Sequence, residues 1–163
     1  RLLPRPSAHW VGDGFNVYPV FHDLAFSEEL SPFLMLDYAA PKKFPSTKKK
    51  LGVGQHPHRG FETVTIAFQG EVEHGDSLGN RDVIREGDVQ WMTAGRGIIH
   101  EEFHSRKFAE SGGIFEMIQV FFCYLSPPAS LLFSSLLPFI LYFPRHDIIL
   151  TRYIHTTCGF VLL

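Results

Sequence analysis

Short stretches of alternating or wholly apolar residues recur along the first 120 positions, separated by turns rich in glycine and proline. Alternation with period two is typical of a strand with one buried face, and a short apolar run is typical of a fully buried strand. The segments 22–32 and 41–54 are interpreted as a polar break and a loop. Because no helical period intervenes, the pattern predicts an all-β sandwich or barrel. The predicted strands are Phe15–Phe21, Phe33–Tyr38, Phe61–Phe68, Glu71–His74, Arg81–Arg85, Val89–Ala94 and Ile98–Phe103.

The pattern changes after Val120. From there to the last residue the only charged side chains are Arg145, Asp147 and Arg152, and four prolines interrupt the apolar run. The longest proline-free apolar stretch is shorter than the roughly 20 residues that a membrane-spanning helix needs, so a membrane anchor is the minority interpretation. We expect residues 1–120 to form the domain and residues 121–163 to be an atypical apolar tail that is not a native domain.

Composition narrows the class of protein. The chain has 163 residues, of which 45% are hydrophobic and 20% charged, and this balance is typical of a globular domain. A net charge of −2 with scattered signs offers no basic face, so we expect no direct nucleic-acid binding. Lys48–Lys50 are interpreted as a solvated loop or a weak nuclear-import signal. Two cysteines without CxxC spacing and no apolar leader in Arg1–Trp10 favour a cytoplasmic or nuclear location.

Two pairs of metal-ligating residues have the spacing of strand neighbours. His56 and His58 stand two residues apart, and His100 and Glu102 repeat that separation. Side chains two apart on a strand share a face, so each pair points one way, and two such strands brought face to face would supply three imidazoles and a carboxylate. This ligand set suits a non-haem centre of Fe, Cu, Ni or Zn.

Other residues near these pairs have simpler interpretations. His74 and His104 lie on or beside the predicted strands and outside the two pairs, and a solvent-facing or hydrogen-bonded histidine is the better prediction for each. Trp91 and Phe61 are predicted to be core or cavity wall, where an aromatic surface also suits a planar ligand.

The segments HPHRGFETVTIAFQGEVEHGDSLGN and GDVQWMTAGRGIIHEEFHS closely resemble the pirin family of the cupin superfamily. This resemblance covers about the first 120 positions and implies a cupin-type antiparallel β-barrel (a jelly roll). The family has two barrels, of which only the N-terminal one is expected here. It implies metal ligation by His56, His58, His100 and Glu102, with Glu62, a ligand in most cupins, acting beside the metal instead.

The resemblance also implies cofactors and functions. Iron, as Fe(II) or Fe(III), is the expected metal, with Cu, Ni, Mn, Zn or Co as alternatives. One function is a quercetin 2,3-dioxygenase that acts on a planar flavonoid-like substrate and O2, with Glu62 or Glu102 accepting a substrate proton. A second is a non-enzymatic, redox-sensing regulator with a transcription-factor partner. A third is an inactive truncated product.

Overall fold

The computed structural model describes residues 6–22, 27–123 and 148–151, and two β-sheets account for most of them. The larger sheet has the strand order β1-β2-β3-β10-β5-β8-β11, and its neighbours are antiparallel except for β11, which runs parallel to β8. Its strands are β1 (His9–Val11), β2 (Phe15–Phe21), β3 (Phe33–Phe44), β5 (Glu62–Gln69), β8 (Val89–Thr93), β10 (Gly113–Phe122) and β11 (Ile148–Thr151).

The smaller sheet is fully antiparallel and carries both histidine pairs. Its order is β4-β9-β6-β7, so β9 lies between β4 and β6. The strands are β4 (Gly52–His58), β6 (Val72–Asp76), β7 (Arg81–Ile84) and β9 (Ile98–His104). The all-β prediction is therefore confirmed, and the predicted strands all correspond to observed ones.

A hydrophobic core lies between the two sheets. Residues from β2, β3, β5, β6, β7 and β10 meet there, and Phe15, Phe115 and Ile84 are almost fully buried. The opposite face of β5 belongs to a second cluster that contains Val64 and Ile66, as expected from the alternation of side chains along a strand.

Two parts of the chain differ from the sequence interpretation. Residues 41–54 are not a single loop, because β3 continues to Phe44 and β4 begins at Gly52. The charged residues and prolines there are not typical of strands, but these segments form strands because they pair with partners far along the chain. The structure also contains α1 (Ser27–Leu30) and α2 (Arg106–Ser111), which are too short to show a helical period in the sequence.

The predicted tail, residues 121–163, lies mainly outside the described residues. Strand β10 continues through Phe122, whose side chain is 1% exposed, and the backbone of Ile148–Thr151 pairs with β8. Among the helices of the described ranges, neither is long and apolar enough to cross a membrane.

Candidate metal centre

Strand β9 supplies the residues around which the site is built. His100, Glu102 and His104 alternate with more exposed neighbours and are 1%, 5% and 2% exposed. On one side, β4 places His56 directly opposite His100. The two predicted pairs therefore meet, but as neighbouring strands of one sheet and not from facing sheets.

A β-bulge in β4 sets which side chains reach the site. Val53 pairs with Glu102 and His56 pairs with His100, so three residues of β4 span the distance of two on β9. Positions three apart on a regular strand would face opposite ways. The extra residue corrects this, so that Val53 packs against the core while His56 joins His100.

Three imidazoles converge at this point. The ring centroids of His56, His58 and His100 lie 4.3 to 4.9 Å apart, and one nitrogen from each lies within 4.8 Å of the others. His56 Nδ1 lies 2.9 Å from the carbonyl oxygen of Gly54. Because a carbonyl only accepts hydrogen bonds, Nδ1 carries the proton and Nε2 keeps the lone pair that a metal needs.

Two of these rings have buried nitrogens without partners. Nε2 of His58 and Nε2 of His100 are buried and make no hydrogen bond. Buried polar atoms are nearly always paired, so two orphaned nitrogens beside a third imidazole call for an explanation. A metal ion would satisfy both, and the residues present therefore fit the predicted cofactor.

The charge state of the cluster also suits a metal. Burial, assisted by the neighbouring histidines, lowers the pKa of His100 to about 2, and burial together with His56 lowers the pKa of His58 to about 4. Both rings are therefore neutral at physiological pH, which is the form that coordinates metals.

The fourth predicted ligand, Glu102, lies in an adjoining group. Its carboxylate groups with His100 and His74, and it accepts hydrogen bonds from Thr65 Oγ1 at 3.2 Å and from Gln119 Nε2 at 3.1 Å. The structure thus brings the four predicted ligands into two groups that share His100.

His74 belongs to this second group. It is 3% exposed, and its Nδ1 lies 3.3 Å from Nδ1 of His100. Its Nε2 is buried and makes no hydrogen bond, but Asp76 Oδ2 lies 3.7 Å away, and the negative charge of that carboxylate favours the tautomer with the proton on Nε2. His74 Nδ1 is then the acceptor for the Nδ1 proton of His100, which leaves the lone pair of His100 on Nε2.

His104 lies apart from the metal-ligating groups. Its Nε2 donates to the carbonyl oxygen of Gly14 at 2.9 Å, and its ring stacks on Phe115 at 4.7 Å. Burial lowers its pKa, so it is a neutral core residue. Both His74 and His104 are hydrogen-bonded as predicted, but neither faces solvent.

Glu62 is the predicted site residue that the structure does not bring into either group. Its carboxylate accepts hydrogen bonds from Trp91 Nε1 at 2.8 Å and from Thr93 Oγ1 at 2.6 Å. Burial raises its pKa, although these two donors act in the opposite direction. Trp91 packs in the second cluster, as the prediction of a core position implied.

A cavity of about 420 Å³ opens beside the imidazoles. His56, His58 and Glu102 contribute to its wall, and the rest is largely apolar and aromatic, including Phe15, Met117 and Phe121. This size is in the range of small-molecule sites. Phe61 lies at the same end, with its ring centroid 5.1 Å from those of His58 and Phe121.

Sequence reasoning missed a further acidic residue in this wall. Asp37 is 7% exposed, lines the cavity, and has one oxygen, Oδ1, without a hydrogen-bond partner. The sequence contained a feature that could have identified Asp37, because an ionisable residue inside the apolar run Phe33–Tyr38 is unusual for a buried strand.

The chain is similar to proteins that carry quercetin dioxygenase and pirin names. A Pseudomonas aeruginosa protein named "Putative quercetin 2,3-dioxygenase" is 58% identical over 119 residues, covering 73% of this chain and 42% of that protein. A crystal structure of quercetin 2,3-dioxygenase from Acinetobacter baumannii matches with a TM-score of 0.72 at 60% identity, over 75% of this chain and 42% of that one. The chain therefore spans less than half the length of these relatives.

A bacterial pirin from Escherichia coli, solved in complex with nickel(II), matches with a TM-score of 0.54 at 25% identity, over 73% of this chain and 50% of that one. The family model described as Pirin matches residues 14–122, which is well over half of the chain. These matches and the two sheets, antiparallel apart from the β8–β11 pair, establish a cupin-type β-barrel. The chain belongs to the pirin family.

Proposed function

We propose that this chain holds a single metal ion through His56, His58, His100 and Glu102 and belongs to an oxygenase that acts on a planar flavonol such as quercetin. The observation that carries the proposal is the convergence of three imidazoles, two with orphaned buried Nε2 atoms, beside a largely apolar cavity whose wall includes His56 and His58. The names of two relatives at 58% and 60% identity support the substrate class.

Iron is the metal that we propose, because three imidazoles and a carboxylate suit an oxygen-handling non-haem centre. When bound, such an ion supplies Lewis acidity and orients the reacting oxygen atoms. The nickel(II) complex of the Escherichia coli relative makes nickel the alternative to test beside iron.

The chain's own residues fix the direction of the ligand atoms. Gly54 holds the proton of His56 on Nδ1, and His74 does the same for His100, so both rings present Nε2. Thr65 and Gln119 hold the carboxylate of Glu102. For Glu102 to complete the ligand set, one of its oxygens must exchange these hydrogen bonds for the metal.

Glu102, and not Glu62, is the residue that we propose to accept a proton from the substrate hydroxyl. Glu102 lines the cavity, whereas Glu62 is not among the residues that line it. A proton acceptor must come within hydrogen-bond reach of the proton that it takes, and a carboxylate in the cavity wall can be approached by a bound substrate.

Metal analysis and turnover together test the proposal. We expect the purified chain to bind close to one equivalent of iron or nickel, and His56→Ala and His100→Ala to bind far less. The metal-loaded chain should consume quercetin and O2 together. If both alanine variants bound as much metal as the wild type, the proposed site would be refuted. Normal metal binding without quercetin loss would refute the reaction alone.

A further inference from the structure

The cavity contains a carboxyl group that neither the metal ligands nor the fold accounts for. Asp37 on β3 is 7% exposed, and its Oδ1 has no hydrogen-bond partner. Among the ion pairs of the described residues, none involves Asp37. Buried acids are almost always paired, and an unpaired polar atom in the interior destabilises the folded state.

The position of Asp37 connects it to the candidate metal centre. On the larger sheet it pairs with Gln119 of β10, which in turn pairs with Thr65 of β5. Both Gln119 and Thr65 donate hydrogen bonds to Glu102. The three positions form a polar row across adjacent strands, each about 5 Å from the next, with Asp37 at the end away from Glu102.

The surroundings of this row are apolar. Met35 and Phe121, which pair with each other on the same two strands, also line the cavity. Burial raises the pKa of Asp37, although His9 and His22 near the cavity wall act in the opposite direction. A polar group placed in an aromatic cavity is the usual means by which such a site selects and orients its ligand.

We propose that Asp37 is a specificity-determining residue that binds a hydroxyl group of the substrate through Oδ1. This inference rests on the proposed function, since it requires that the cavity receives the substrate. The ligand class is a planar aromatic molecule whose oxygen atoms lie at two ends. One end reaches the metal ligands and Glu102, and the other places a hydroxyl at Asp37.

A purely structural role for Asp37 predicts a different outcome. If the carboxyl group only supported the fold, its removal would lower stability and leave ligand affinity unchanged. A group retained for ligand binding behaves in the opposite way, because replacing an unpaired buried carboxyl with an apolar side chain removes a desolvation cost. Stability and affinity therefore change in opposite directions.

The experiment uses the full chain loaded with metal and kept free of oxygen, so that quercetin binds without turnover. Asp37→Leu removes the hydrogen-bonding group, and Asp37→Asn retains one of similar shape. Glu116→Gln is the matched control, because the carboxylate of Glu116 is already held by Tyr38 and Gln69. Flavone, which has no hydroxyl groups, is the matched ligand.

We expect Asp37→Leu to weaken quercetin binding on the order of tenfold to a hundredfold, the cost of leaving a buried hydroxyl unpaired. Asp37→Asn should recover part of this loss, and flavone should bind all variants alike. Metal content should stay at the wild-type value, and the melting temperature of Asp37→Leu should rise. Glu116→Gln should leave quercetin affinity unchanged.

Three results would overturn the assignment. If wild type binds quercetin and Asp37→Leu binds it equally well, Asp37 does not contact the substrate and the proposed function still stands. If metal-loaded wild type does not bind quercetin, both the proposed function and the assignment that rests on it fail. An equal loss of quercetin and flavone binding in Asp37→Leu would indicate a change of cavity shape and would also refute the hydroxyl contact.

Discussion

His74 offers a direct test of how the fold orients a metal ligand. Its Nδ1 lies 3.3 Å from Nδ1 of His100, and this contact selects the tautomer of His100 that presents Nε2. Replacing His74 with leucine removes the contact and leaves His100 free to adopt either tautomer and to rotate. The turn beside it should survive, because Asp76 remains bonded to the backbone and side chain of Asn80.

The expected loss can be worked out from this one hydrogen bond. A net contribution of about 0.5–1.5 kcal/mol corresponds to roughly twofold to tenfold in affinity. Residues that orient metal ligands typically contribute about 10- to 100-fold. Since 3.3 Å is longer than the usual hydrogen bond, we expect His74→Leu to weaken metal binding by about tenfold, at the overlap of the two ranges.

Competition with a coloured chelator measures this change for nickel or iron. His74→Asn should recover much of the affinity, because an asparagine oxygen can accept the proton of His100 from nearly the same place as Nδ1. His104→Gln is the matched control, since it alters a buried histidine that bonds Gly14 and not a ligand. Wild-type affinity in His74→Leu, or equal losses in the leucine and asparagine variants, would refute the reasoning.

Three further predictions concern the carboxylates and the bulged strand. Glu102→Gln should lower metal content about tenfold or more while Glu62→Gln stays near wild type; the reverse order in metal analysis would assign the ligand to Glu62. Burial would raise the pKa of Glu71, but hydrogen bonds and the Lys107 ammonium outweigh burial and lower it. The ionised carboxylate therefore stabilises the fold above pH ~4.3, and this contribution is lost as pH falls through the lowered pKa. The free energy of unfolding, measured in urea at pH 7 and at pH 3, should fall more for wild type than for Glu71→Gln; equal losses would contradict this. Gly52→Ala should lower the melting temperature by several degrees, because the added carbon would overlap the facing backbone of β9, and an unchanged melting curve would show that β4 can shift.

Much of this fold could be predicted from local patterns. The alternation in Phe15–Phe21 and the apolar runs from Phe33 and Phe61 identified strands that the structure confirms. The two-residue spacings of the histidine and carboxylate pairs correctly placed each pair on one strand face. These predictions succeed because the direction of a side chain on a strand follows from backbone geometry within two or three residues.

What the local pattern did not determine depends on contacts between distant residues. The bulge in β4 becomes visible only when Val53 and His56 are paired with Glu102 and His100, more than 40 positions later. Likewise, nothing near His74 in the sequence shows that β6 lies beside β9.

The apolar run around Asp37 indicated a buried strand, but not which strands or cavity its carboxyl would meet. Local sequence indicates which residues of a regular strand share a face. The neighbours and the register of each strand depend on the tertiary structure, because strand pairing joins segments whose separation along the chain leaves no local trace. For this reason the four metal-ligand candidates could be named from the sequence, while the residues that orient them, His74, Thr65 and Gln119, required the structure.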